Sequence, residues 1–162
     1  MRLSLHTDYA LRVLMYLAEA NRRAKVAEIA GYFDISRDHV AKVTQRLARL
    51  GYIRAIRGAG GGLELALDPG KIRLGPVIAD FEGTMHLLEC VGTTEPICCI
   101  QSRCRLKQVL AKAEKVQKDY LDGVCLSDVV QVGHPLNKQK DKHKEPNQTK
   151  PLKKGKLNVG SS

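Results

Sequence analysis

Residues 26–53 read VAEIAGYFDISRDHVAKVTQRLARLGYI, and their spacing predicts a helix, a tight turn and a second helix. A short helix over Ala27–Tyr32 turns Ile29 and Ala30 inward, and the chain then bends through Asp34 and Ile35. Ser36 is a favoured N-cap, because its hydroxyl can accept a hydrogen bond from a free amide of the first turn. The helix it opens runs to about Leu50, with Val40, Val43, Leu47 and Leu50 inward. Gly51 follows, where a helix needs a left-handed terminator. Upstream, Thr7 is predicted to cap a helix over Asp8–Ala20 whose Leu11, Leu14, Met15 and Ala18 share one face. Downstream, Tyr52–Ile56 and Leu63–Leu67 have strand character and are joined by RGAGGG; Pro69 stops the second. The predicted fold is mainly α with a small β-wing: a winged helix-turn-helix domain over residues 1–75.

Charge supports a nucleic-acid partner for that domain. The chain of 162 residues carries 27 Lys+Arg against 17 Asp+Glu, a net +10. Residues 1–75 hold 13 basic and 7 acidic side chains, residues 76–133 hold 6 and 8, and residues 134–162 hold 8 and 2. The last segment is rich in Lys, Pro, Asn and Gln with no apolar period, so it reads as a disordered basic tail. Val13–Ala18, the longest apolar run, is too short to span a bilayer. His6, Asp8 and Arg12 interrupt what would be a signal peptide's apolar core, so the expected location is cytoplasmic, with no membrane partner.

Seven Phe and Tyr and no Trp argue against single-strand binders that stack bases on aromatics. Double-stranded DNA is the expected partner. The outward face of the second helix offers Ser36, Arg37, Asp38, His39, Lys42 and Gln45, with Arg46 and Arg49 further along. Arg37, His39 and Gln45 have donors and acceptors for base edges, whereas Lys42 and Arg49 suit phosphates. Arg57, opening the wing, is placed to enter the minor groove. A solvated helix face would also carry charges, but the basic bias, the small polar cap and the basic wing together favour DNA. GAGGG lies between strands with no Lys-Ser/Thr after it, so it is no phosphate loop. No carboxylate pair or Ser-His-Asp set converges, so no enzyme is expected.

All five cysteines, Cys90, Cys98, Cys99, Cys104 and Cys125, lie beyond residue 89. GPVIADFEGTMHLLEC predicts a helix from Pro76, at the favoured first position, to about Leu88. RCRLKQVLAKAEKVQKDYL predicts a long helix with Leu106, Val109, Leu110, Ala113, Val116 and Tyr120 along one side. Such a stripe suits a two-fold partner, because helix-turn-helix repressors read paired half-sites as dimers. Between the helices, ECVGTTEPICCIQSRCR puts four thiols on a polar loop. Soft thiolates suit zinc or an iron–sulfur cluster. The spacing Cys90-x7-Cys98-x5-Cys104 is wider than a zinc knuckle, which favours the cluster; zinc through Cys99-x4-Cys104 and a redox thiol stay open. Cys125 reads as a packed small residue, and His86 either as a neighbour of Cys90's site or as a partly buried helix residue.

Four segments, LSLHTDYALRVLMYLA, SRDHVAKVTQRLARLGYI, RGAGGGLELA and CCIQSRCRLKQVLAKA, resemble the iron–sulfur winged-helix transcriptional repressors, most of all their nitric-oxide-sensing branch. The resemblance covers about residues 1–131. It implies a homodimer with one iron–sulfur cluster per subunit, 4Fe–4S ahead of 2Fe–2S, held by Cys90, Cys98 and Cys104. Asp8 of the partner subunit matches the position of the carboxylate ligand, although an acid at a helix N-terminus is also stabilised by the dipole. The iron–sulfur-assembly branch has a His three residues after the last cysteine, where this chain has Lys107. Cys99 is an additional thiol. The implied function is repression of nitric-oxide detoxification genes from a palindromic operator, released when the cluster is nitrosylated. The alternative is a related regulator of iron–sulfur or redox homeostasis using a cluster, zinc or a thiol switch. On either reading residues 76–133 form the thiol loop and dimerisation helix.

Overall fold

Helix α1 spans Leu5–Ala20, three residues longer at its start than predicted, because Ser4 and not Thr7 is the N-cap. The Ser4 hydroxyl accepts from the Thr7 amide at 3.3 Å. Thr7 is fully buried and donates its own hydroxyl to the Glu82 carboxylate, a partner 75 residues away. The computed structural model that shows this describes residues 2–83 and 86–131, so the Lys-rich segment 134–162 lies outside the described residues.

Asn21 ends α1 in the left-handed region at φ 46°, and α2 follows over Val26–Phe33. Asp34 takes the same conformation (φ 54°), and the Ile35 amide reaches back to the Ala30 carbonyl at 2.9 Å. This closes the tight turn before α3, Arg37–Arg49, which Ser36 caps as predicted by accepting from the His39 amide at 3.3 Å. Val40, Val43 and Leu47 of α3 are buried against Leu14 of α1 and Ile29 of α2 in one core. Gly51 (φ 80°) turns the chain out of α3.

The wing is an antiparallel pair, β1 (Ile53–Ile56) and β2 (Gly62–Leu65), with Ile53 opposite Leu65 and Ile56 opposite Gly62. Both strands are shorter than predicted at their outer ends. Ala24 adds an edge bridge, exchanging hydrogen bonds with Leu63 at 2.8 and 3.0 Å, so the wing is tied to the segment before α2.

Helix α4 spans Leu74–Glu82, not Pro76–Leu88. Pro76 is its third residue, still within the first turn where its missing amide has no intrahelical acceptor. Gly83 stops the helix at φ 74°, ψ −140°, a conformation that a Cβ would strain. Leu87 and Leu88, which a longer helix would have buried, are exposed. A single helical turn, α5 (Glu89–Gly92), and then α6 (Arg105–Gly123) complete the α-helices among the described residues, with short 3-10 turns at Pro69–Lys71, Gln101–Arg103 and Leu126–Asp128.

Helix α6 packs on α4, and a Cβ on the buried Gly75 would stand 2.8 Å from the Asp122 amide, so only glycine allows that approach. None of its residues is buried. Leu106, Val109, Val116 and Tyr120 are 58, 63, 59 and 72% exposed, an apolar stripe along one side. Beyond α6 the chain re-enters the first core: Leu126 is fully buried and its amide donates to the Ile72 carbonyl at 2.8 Å. No helix among the described residues is long and apolar enough to cross a membrane.

Leu47→Ala removes a fully buried side chain and should cost about 2–5 kcal/mol in urea unfolding. Glu28 accepts from the Tyr16 hydroxyl at 2.7 Å and pairs with Arg22, whose hydrogen bond holds its carboxyl below the usual 4.5. A depressed folded pKa stabilises fully above the unfolded value and is lost as pH falls through the folded one. Glu28→Gln should therefore flatten the fall of Tm below about pH 4.5.

Candidate nucleic-acid interface and thiol loop

Burying Val40, Val43, Thr44 and Leu47 leaves the other face of α3 to solvent. Ser36, Arg37, Asp38, His39, Lys42, Gln45 and Arg49 are all exposed on it, as is Arg57 in the β1–β2 loop. Among the described residues, Arg37, Lys42, Arg49 and Arg57 enter no ion pair, so these cations are not neutralised within the fold. Arg46 departs from expectation. It is half-buried, with its guanidinium 4.6 Å from the centre of the Phe81 ring and a hydrogen bond to the Asp80 carbonyl. The cation–π contact draws it inward, where helical period alone had placed it outward. Two residues escaped the sequence reading. Tyr9 sets its ring 5.9 Å from that of His39, and Arg54 adds an exposed cation on β1. Tyr9 has no periodic signal, since its placement depends on a neighbour distant in sequence.

The cysteines separate into three settings. Cys125 is buried and its thiol donates to the Gly70 carbonyl at 3.1 Å, a packed residue as expected. Cys98, Cys99 and Cys104 line one open cavity of about 760 Å³ together with Pro96, Ile97 and Lys107. Cys98 and Cys99 are exposed; Cys104 is half-buried as the N-cap of α6, where its sulfur accepts from the Lys107 amide at 3.4 Å. Gln101 shapes the turn between them, accepting from the Ile97 amide at 3.0 Å and donating to the Glu95 carbonyl at 2.9 Å. Cys90 is half-buried on α5 and does not line that cavity.

His86, outside any helix and exposed, places Nδ1 3.2 Å from Glu114 of α6. Glu114 also accepts the Leu87 amide, which is the main cause of its lowered pKa. These bonds fasten the start of the thiol loop to α6. Asp8 lies in the first turn of α1, half-exposed, and pairs with Arg12 at 3.0 Å. No three His, Cys, Asp or Glu side chains among the described residues are gathered closely enough to hold a metal ion. The donor set is nonetheless chemically suited to a soft metal centre: all the thiols are free, and four lie on one loop. The thiol donors are present but not gathered among the described residues.

A family model described as Rrf2, iron-dependent transcriptional regulator, matches residues 3–132. The chain belongs to the Rrf2 family. The HTH-type transcriptional regulator NsrR of Bacillus subtilis is 39% identical over 132 residues, covering 80% of this chain and 90% of that protein. The fold is similar to that of CymR, the global cysteine regulator of B. subtilis, at a TM-score of 0.65, with 22% identity over 79% of this chain and 95% of that one. It is also similar to T. potens IscR, at a TM-score of 0.63, with 23% identity over 79% and 85% of the two chains. As a member of the Rrf2 family the protein is a transcriptional regulator and not an enzyme.

Thiol accessibility is a direct check on the three settings. In the folded Rrf2 chain, iodoacetamide followed by mass spectrometry should label Cys98 and Cys99 first, then Cys90 and Cys104. Cys125 should react only on unfolding; its labelling at the rate of Cys98 would contradict the burial.

Proposed function

We propose that this Rrf2-family regulator is a homodimeric repressor that binds a palindromic operator in double-stranded DNA, carries an iron–sulfur cluster in each subunit, and releases the operator on exposure to nitric oxide. The observation that carries this reading is the loop between α4 and α6, where Cys98, Cys99 and Cys104 surround one open cavity and Cys90 sits on a turn fastened to α6. The family's description as iron-dependent and the 39% identity to NsrR support it.

Cys90, Cys98 and Cys104 would hold the cluster as thiolates, with Asp8 of the partner subunit as the fourth, oxygen ligand and 4Fe–4S as the form. When bound, it would supply iron open to attack by nitric oxide. The chain's own residues do the rest. The Asp8–Arg12 pair is half-exposed and worth about 1 kcal/mol or less, so it is a weak competitor for the Asp8 carboxylate. Tyr9, next to Asp8, faces His39 at the reading end of α3, so a shift of the first turn of α1 reaches the DNA surface directly. Arg37, His39 and Gln45 read bases, Lys42 and Arg49 contact phosphates beside the Ser36 cap, and Arg57 enters the minor groove. The exposed stripe from Leu106 to Tyr120 forms the two-fold interface, which sets the spacing of the two reading helices. A 100-fold loss of operator affinity needs only about 2.7 kcal/mol of coupling.

A second reading rests on Cys99, which shares the cavity of Cys98 and Cys104 while Cys90 does not: a zinc or thiol-switch regulator using those three sulfurs. Anaerobic absorption spectroscopy separates the two. The cluster reading expects a straw-brown protein whose visible band bleaches with nitric oxide as operator affinity falls about 100-fold in the same sample. A colourless zinc-loaded protein, or bleaching without loss of affinity, would overturn it. Cys90→Ala should lose iron and Cys99→Ala should retain it; the zinc reading expects the reverse order.

On the DNA side, Gln45→Ala should cost about 1–3 kcal/mol and relax preference at one base pair. Lys42→Ala should weaken all sequences alike and reduce the salt slope by about one.

A further inference from the structure

The last turn of α4 carries two acids, Asp80 and Glu82, and no base. Carboxylates at a helix C-terminus face the negative end of the helix dipole, so local preference disfavours both. Each is instead explained by a contact with a different element. The Asp80 carboxylate accepts from the Tyr52 hydroxyl at 2.7 Å, just ahead of β1, and the Asp80 carbonyl accepts from Arg46 of α3. Phe81, buried, lies under the same Arg46 guanidinium. Glu82 faces the other way: its Oε1 accepts from the Ser4 amide at 2.6 Å and from the buried Thr7 hydroxyl. Burial and the neighbouring Asp80 carboxylate push the Tyr52 hydroxyl well above its ordinary value of 10, so it remains a donor at neutral pH.

We propose that Asp80, Phe81 and Glu82 are positioning residues of the operator-reading surface, holding the N-terminus of α1 and the recognition helix α3 in one fixed relation. The proposal rests on the operator-binding reading given above and adds to it the residues that set the geometry. Three consecutive residues grip two elements that are themselves distant in sequence, so displacing one grip displaces the other. Gly83 follows at once and leads toward Cys90, which makes this turn the covalent joint between the thiol loop and the DNA surface.

The test uses the full chain with Thr7→Val, Tyr52→Phe, the double variant, and Thr7→Ser, which keeps the hydroxyl. Thr7→Val and Tyr52→Phe should each lower operator affinity about tenfold, and the double variant no more than either alone, because both break one device. Thr7→Ser should bind as the parent does. Amide hydrogen exchange without DNA should show reciprocal loosening: Thr7→Val speeds exchange in residues 46–50, and Tyr52→Phe speeds it in residues 5–9. A hundredfold loss in the double variant, or exchange changes confined to the substituted side, overturns the proposal. The exchange pattern is read without operator, iron or nitric oxide. A parent that ignores nitric oxide while keeping the reciprocal pattern sinks the sensing reading and leaves the positioning role standing; the opposite combination does the reverse.

Discussion

The chain's DNA-facing chemistry depends on which side of α3 is buried. Val40, Val43 and Leu47 are held at 2% exposure or less against α1 and α2, and helical geometry then leaves no freedom over where Arg37, His39, Lys42 and Gln45 emerge. Rotating α3 to present other side chains would expose three large apolar groups, at about 1.5–3 kcal/mol each. The elements packed on α3 are α1, α2 and β1, with α4 reaching its C-terminal end through Phe81 and Asp80 against Arg46.

The local rules that made the winged helix legible were cap and period. Ser36 caps α3, Gly51 ends it, and Val40, Val43 and Leu47 are inward as the spacing names, whereas Leu50 ends the helix exposed and Thr44 is buried without having been named. The misreadings at Thr7 and Arg46 have a non-local cause, and the one past α4 a local one. Thr7 is as good an N-cap type as Ser4, and what removes it from that role is Glu82, far along the chain. Arg46 has an exposed position by period and an inward one by Phe81. Leu87 and Leu88 prolong an apolar pattern past Gly83, and the backbone of that glycine outweighs them. Thiol spacing was equally readable, but the grouping of Cys98, Cys99 and Cys104 without Cys90 follows from the separate turn α5, which carries no strong cap signal.

The two halves differ in how they are held. The reading domain is built on fully buried aliphatics, whereas α5 and α6 bury no residue and rely on surface bonds such as Glu114 with His86 and Leu87. Segments with little buried apolar area open at low free energy, and ligand-responsive elements come from that end of the range. A loop whose thiols are present but not gathered acquires order from whatever binds them. In the proposed sensor that binding free energy would be spent on conformation, which would couple the thiol site to the distant surface.

The coupling that the proposed function requires has bounds on both sides. It must exceed what a half-exposed ion pair supplies, since releasing Asp8 from Arg12 is worth about 1 kcal/mol or less. It must also stay well below the 5–15 kcal/mol that keeps such a domain folded, or the signal would unfold the reader. About 2.7 kcal/mol sits inside that window, and it needs more than one contact to change. Around the first turn of α1 the structure offers three: Asp8 to Arg12, Tyr9 against His39, and Thr7 to Glu82. The last two bear on α3 from opposite directions, one at its N-terminal reading end and one through α4 at its C-terminal end. In the proposed sensor, two such contacts would let a small shift of α1 tilt the helix rather than merely translate it.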